Sequence, residues 1–223
     1  MHISCKLNQY YGMTSIFKIN KTIWLISLVF SSSLLGFSQG DTGSIIAQFA
    51  LGVNSPSSSG FVDDFESNSI NFPSINLGLQ YMFKPKLGAK LDFGYNRFSE
   101  TGSSPEFKVN YARFNAQLVY NLSSIIPLNR IGTFIHAGPG LTMISPLGNY
   151  VENNTSFLNT MAGIEFHYGV SDKLSVYLDT SYILGFGKDF DPILDGYGSF
   201  NGNLLTVTIG ASISLSGCYY CGD

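Results

Sequence analysis

The chain has 223 residues, enough for one domain or a small pair. Charged residues make up only 12%, about half the soluble norm of roughly 25%, while hydrophobic residues reach 44% and Phe, Tyr and Gly number 18, 13 and 24. This excludes a disordered chain, which joins low hydrophobicity to high charge, and 12 Lys+Arg against 15 Asp+Glu exclude the basic excess of a nucleic-acid binder.

Lys18 and Lys21 precede an apolar run from Thr22 to Phe37, followed by Ser38, Gln39 and Gly40. Positive charge, apolar core and small residues, in that order, spell a secretory signal over residues 1–40. The run is interrupted by Ser31, Ser32 and Ser33 and is shorter than the about 20 residues a spanning helix needs. The signal reads naturally from Met13, so a start there, with residues 1–12 upstream of it, is the expectation. No Cys directly follows the run, so a lipoprotein anchor has no acceptor. Cleavage near residue 40 leaves 9 basic and 15 acidic residues.

Beyond residue 40 the hydrophobic period is two, the period of strands. Segment 43–53 puts Ile45, Ala47, Phe49, Leu51 and Val53 on one face and Ser44, Gln48, Ala50 and Gly52 on the other, with Ile46 as an exception. Segments 72–83 and 86–97 set Ile75, Leu77, Leu79, Leu87, Leu91 and Phe93 against Asn76, Gln80, Lys90, Asp92 and Asn96. Segment 107–120 sets Phe114, Ala116, Leu118 and Tyr120 against Arg113, Asn115 and Gln117, but Phe107, Val109 and Tyr111 have the opposite parity, which predicts a bulge near Tyr111–Ala112. Segments 131–143 and 157–169 place Ile131, Thr133, Ile135, Leu141, Leu158, Ile164 and Phe166 opposite His136, Asn159, Glu165 and His167. Segments 173–184 and 203–215 place Leu174, Val176, Leu178, Val207, Ile209 and Ile213 opposite Asp179, Ser181, Thr206 and Thr208.

Eight such segments predict an all-β fold, an eight-stranded antiparallel up-and-down transmembrane β-barrel over 41–217, with 218–223 as a short tail. Connections 54–71, 98–106, 144–156 and 185–202 are long and polar, while Lys84-Pro85 and 170–172 are tight; 121–130, of middle length, breaks the alternation. Barrels of the outer membrane keep short turns in the periplasm and long loops outside. The polar face carries Lys90, Asp92, Arg113, Glu165, His167 and Asp179, and the apolar face almost no charge. That is too little charge to solvate an outer wall, yet it suits a narrow bore of paired ions with lipid outside. Tyr81, Phe83, Tyr95, Tyr120, Tyr168 and Tyr182 fall near segment ends on the apolar face, where interfacial girdles belong.

The pattern resembles the OmpA-like eight-stranded outer-membrane barrels, in particular those of Bacteroidetes. It does so over about 43–216, through Phe37-Ser38-Gln39, the stretch Tyr111–Gln117, His136-Ala137-Gly138-Pro139-Gly140 and the stretch Asn203–Gly210. The resemblance implies residence in the outer membrane of a Gram-negative bacterium, with membrane lipid, lipopolysaccharide and the barrel assembly machinery as partners. Many relatives continue into a periplasmic peptidoglycan-binding domain; this chain stops at Asp223, so that domain is not expected. The terminal aromatic used in assembly is replaced by Asp223, which calls for an internal signal finishing near Leu215.

The chemistry-bearing residues are few. Lys90 and Arg113 share a face with Asp92, Glu165 and Asp179 and are expected to pair with them inside the barrel, because buried charges persist only when paired. Such a cluster is either a static plug that specifies the fold or part of a gated ion path. His136 and His167 stand in no His-x-Ser-Asn arrangement and read as polar filler, so no enzyme is expected. Cys218 and Cys221 fit a short-loop disulfide of an exported chain; a metal there would need two more ligands. Residues 189–196 carry three carboxylates, but Pro192 and Leu194 spoil a calcium loop, and they read as a solvated acidic tip like Asp63, Asp64 and Glu66. No cofactor and no metal are expected. The expected role is structural or surface interaction through the outer loops; a narrow small-solute or ion channel and a soluble exported ligand-binding barrel are the alternatives.

Overall fold

A computed structural model describes residues 43–128, 130–187 and 196–216. The strands are β1 (Ser44–Pro56), β2 (Asn71–Met82), β3 (Leu87–Ser99), β4 (Lys108–Asn121), β5 (Ile131–Leu147), β6 (Thr155–Gly169), β7 (Leu174–Phe186) and β8 (Leu204–Ser214). Each pairs antiparallel with its sequence neighbours, and β1 pairs with β8 from Ile46↔Ser214 to Pro56↔Leu204, so the sheet closes. Closure pairs the backbone donors and acceptors of both would-be edges. The expected eight-stranded up-and-down barrel is therefore the observed fold.

Which face looks outward is settled at mid-strand. Leu178 is 43% exposed and Ile209 61%, while Asp179, one residue from Leu178, is 2% exposed. The same alternation runs around the wall: Phe49, Leu77, Leu91, Phe114, Leu141 and Leu158 look out, and Gln48, Asn76, Lys90, Arg113, Thr142 and Asn159 look in. An eight-stranded barrel is just wide enough for its inward side chains to fill it.

Two local expectations change. No bulge interrupts β4 near Tyr111: its register with β3 is continuous from Ser99↔Lys108 to Leu87↔Tyr120, and Val109 and Tyr111 point inward with Arg113. The parity shift arises because the bore is apolar at this end, so greasy residues take the inward positions. The bulge instead lies in β1 opposite β2, between Gly52 and Asn54. Thr133 has outward parity but is buried, at the rim where the β4–β5 pairing runs on past Asn121: Leu122 N–H donates to the Thr133 carbonyl at 2.8 Å and Thr133 N–H donates to Ser123 Oγ at 3.0 Å.

The barrel has one short-turn rim and one long-loop rim. Lys84 and Leu87 close the β2–β3 turn on each other's backbone, and Val170, Ser171 and Leu174 close the β6–β7 turn. At the other rim, β3, β5 and β7 run past their expected ends to Ser99, Leu147 and Phe186, so the loops there are shorter than the sequence pattern suggests. Those loops are laced together. Asn68 Nδ2 donates to the Glu100 carbonyl at 2.7 Å, Thr101 N–H to the Glu66 carbonyl at 2.9 Å, Asn153 Nδ2 to the Tyr197 carbonyl at 2.9 Å and Asn201 N–H to the Gly60 carbonyl at 3.0 Å. Gly60 and Gly202 permit that last approach: a Cβ on Gly60 would lie 2.6 Å from the Gly202 Cα.

The β1–β8 seam can be tested directly. With Cys5, Cys218 and Cys221 replaced by Ser, the pair Ala47→Cys and Ile213→Cys is expected to form a disulfide on mild oxidation, because directly opposed strand residues have Cβ atoms about 4.5–5.5 Å apart. Ala47→Cys with Leu205→Cys, whose opposite residue is Ser55, is expected to stay reduced; gel mobility with and without reductant reads both.

Candidate functional site

The bore has three layers. At the long-loop end Phe65, Phe98, Phe107, Val109, Tyr111, Ile144, Phe157, Met161, Ile183, Phe200 and Leu204 form one apolar cluster. Phe200 from the last loop sits at its centre, 4.8 Å from the ring of Phe61, 5.0 Å from Phe98 and 6.2 Å from Tyr111. At the short-turn end Ile46, Met82, Val119 and Phe134 form a second, smaller cluster. Between them lies a polar layer built from alternate residues of every strand.

Two ion pairs organise that layer. Lys90 Nζ on β3 donates to Glu165 Oε1 on β6 at 2.5 Å and lies 3.9 Å from Asp92 Oδ1. Arg113 on β4 donates through Nη1 to Asp92 Oδ2, to Asn115 Oδ1 at 3.2 Å and to Met161 Sδ at 2.9 Å, and through Nη2 to Asn76 Oδ1 at 3.1 Å. Glu165 Oε2 also accepts from Gln48 Nε2 at 3.1 Å and faces His167 Nε2 at 2.7 Å. Asp179 accepts from Ser181 Oγ at 2.6 Å and lies 3.5 Å from His136 Nε2. Lys90, Asp92, Arg113 and Glu165 are thus joined directly, whereas Asp179 is tied to the cluster through His136, whose Nε2 is 3.9 Å from Glu165 Oε1. An amide chain extends the layer upward: Asn115 Nδ2 donates to Asn159 Oδ1 at 2.6 Å, and Asn159 Nδ2 to Thr142 Oγ1 at 2.9 Å.

Glycines make the room. A Cβ on Gly94, beside Arg113, would come within 2.6 Å of its Nε, and one on Gly78 would meet the Lys90 Cε at 3.0 Å. The long cations fold into holes left on the neighbouring strands. His167 is held by aromatics, stacked on Tyr177 at 4.9 Å and edge-on to Phe134 at 5.0 Å.

The layer's chemistry is limited by its pairing. His136, Glu165 and Asp179 bring one potential metal ligand each within 4.8 Å of one another, but the Lys90 ammonium already serves Glu165 as its cation. Ser181 Oγ lies 3.4 Å from His136 Nε2, yet that same nitrogen faces Asp179, and the Ser181 hydroxyl donates to Asp179. An activated serine needs its hydroxyl directed to the base and a carboxylate on the base's other nitrogen, an arrangement these three residues do not make. The residue pattern alone gives the two histidines no part in the ion cluster and does not reveal the apolar layers above and below it. A signal for those layers is present in the odd-parity Phe107, Val109 and Tyr111 and in Ile46. Cys218, Cys221, residues 1–40 and most of the acidic stretch 189–196 lie outside the described residues.

No family model matches the chain and no curated protein matches it. Among solved structures it is similar to Neisserial surface protein A at 14% identity, with 78% of this chain and 99% of that one covered and a TM-score of 0.52. It is also similar to OprG from Pseudomonas aeruginosa (12% identity, 79% and 97% covered, TM-score 0.53) and to a major outer membrane protein from Thermus thermophilus (10%, 78% and 100%, TM-score 0.54). At these identities the likeness is one of fold. The fold is that of the eight-stranded outer-membrane β-barrels.

Removing one partner of a buried pair leaves a bare charge. Arg113→Met is expected to cost roughly 3–5 kcal/mol, read as a lowered urea midpoint by far-UV circular dichroism in detergent micelles. Asp92→Asn added to Arg113→Met is expected to recover most of that loss, because the carboxylate that lost its guanidinium is then neutral.

Proposed function

We propose that the chain is an integral outer-membrane barrel of the OmpA-like type, with a structural or surface-interaction role carried by its laced loops. The outer wall supports the membrane part of this reading. Leu, Ile, Val and Phe project from mid-strand on all eight strands, a surface that lipid stabilises and water does not. A soluble exported barrel would carry polar residues there. Membrane lipid, lipopolysaccharide and the barrel assembly machinery are the partners this location brings.

The observation that carries the non-conducting role is the filled bore. Arg113 and Glu165 are both at most 1% exposed and bound to partners on other strands. The apolar cluster around Phe200 roofs them and the cluster around Phe134 floors them. An ion crossing this bore would have to part paired charges and pass two greasy layers, a desolvation that paired groups do not offset. The same enclosure argues against catalysis at His136 or His167, since both side chains are buried among the described residues.

Two measurements test the reading together. The purified chain is expected to stay monodisperse only with detergent, and planar bilayers containing it are expected to show no stepwise conductance. Monodispersity in plain buffer would sink the membrane reading; steady single-channel currents that Arg113→Ala alters would favour the narrow channel instead.

A further inference from the structure

The segment between β4 and β5 is unlike the other short-rim turns. It is longer, and it presents Ile125, Ile126 and Leu128 outward, Ile125 at 64% exposure. It is also ordered by its own backbone. Ile125 and Ile126 N–H both donate to the Leu122 carbonyl, at 2.8 and 2.9 Å, Ile131 N–H donates to the Leu128 carbonyl at 3.1 Å, and Ser123 N–H is held by Asn121 Oδ1 at 2.9 Å. Apolar side chains are thus held out on a fixed scaffold. They follow, within ten residues of sequence, Leu118 and Tyr120, the last outward residues of β4, and are exposed as those are, which adds apolar surface at the rim where that wall ends.

Among the described residues, the charges of the two rims differ in sign. Around the short-turn rim stand Lys84, Lys86, Arg130 and Lys173, with Asp172 as the one acid among the described residues there, and all five are exposed. Around the long-loop rim stand Asp63, Asp64, Glu66, Glu100, Glu106 and Glu152, against Arg97 and Lys108. Lys86 is fastened to the segment's start, its carbonyl accepting from Asn121 N–H at 2.9 Å, and Arg130 lies at the segment's end. Exposed greasy residues bracketed by cations are the composition of a lipid-interface element.

We propose that Leu122–Leu128, with Lys84, Lys86, Arg130 and Lys173 around it, is an interfacial foot that binds anionic phospholipid. Ile125, Ile126 and Leu128 lie among the upper acyl carbons, and the ammonium and guanidinium groups take the headgroup phosphates. The inference rests on the membrane reading above and adds a lipid class and a side: the periplasm-facing leaflet, where phospholipid headgroups meet the short-turn rim. A protein partner on the same patch is the competing occupant; the cationic ring continuing a lipid-facing wall favours lipid.

The test uses single-tryptophan reporters. Trp24 is the only Trp, so the full chain carrying Trp24→Phe is the background, with Ile125→Trp, Ile126→Trp, Ile209→Trp and Ile70→Trp introduced one at a time. Folded protein, checked by circular dichroism, is placed in mixed phosphatidylcholine and phosphatidylglycerol vesicles in which one or the other lipid carries brominated acyl chains. The Trp at 125 or 126 is expected to be quenched, at least about twofold more by brominated phosphatidylglycerol, since each nearby cation adds attraction to anionic lipid. The preference should vanish when Lys84, Lys86, Arg130 and Lys173 are all changed to Gln, and Ile70→Trp at the acidic rim should show none. Quenching at 209 without quenching at 125 and 126 overturns the foot and leaves the membrane reading standing. Equal quenching by both lipids at 125 and 126 overturns the recognition of anionic lipid, and no quenching at 209 removes the membrane reading and the foot together.

Discussion

Closure of the sheet on itself is the constraint from which the rest of this molecule follows. Once β1 meets β8, the backbone is satisfied within the wall and the outer surface is free to be greasy. The same closure fixes the bore at a width that side chains fill, so whatever points inward must fit and must find partners. Lys90 and Arg113 are long, and they fit because Gly78 and Gly94 leave holes beside them. The ionic layer is a product of the geometry of eight strands as much as of the charges themselves.

The layer is also uneven. Asp92, Glu165 and Asp179 are met by two permanent cations, with Gln48 donating to Glu165, Ser181 donating to Asp179, and nitrogens of His136 and His167 turned toward the acids. Every acid is thereby reached by a nitrogen from another residue. Burying such an assembly contributes less to stability than burying hydrocarbon of equal volume. What it adds is specificity: a strand slipped by one residue would turn its ion out to the wall and a leucine into the bore.

The alternation makes the fold legible. Period-two segments with charge confined to one parity define both the number of strands and the inside-out arrangement, because an outer wall almost without charge records its own direction. The ends of the bore are less legible. Val109 and Tyr111 break the expected polarity and read as a bulge, yet they belong to an apolar roof that only closure brings together from six strands and three loops. Phe200 cannot be assigned from its neighbours, since its partners Phe61 and Phe98 lie more than a hundred residues away. Within the polar layer, shared facing puts the five ions on one side of the wall, but which acid each cation takes depends on stagger around the cylinder, and parity carries no information about stagger.

The bond from Lys90 to Glu165 joins residues 75 apart in sequence, on strands that are not neighbours in the sheet. It spans the lumen rather than following the wall. No hairpin can make it, and no flat sheet can hold it, because its two ends meet only after the strands between them have curled round. The ammonium and the carboxylate can surrender their water to one another only where β3 to β6 have taken up the curvature of the wall. The pair acts as a brace across the bore that only a correctly curved wall can close.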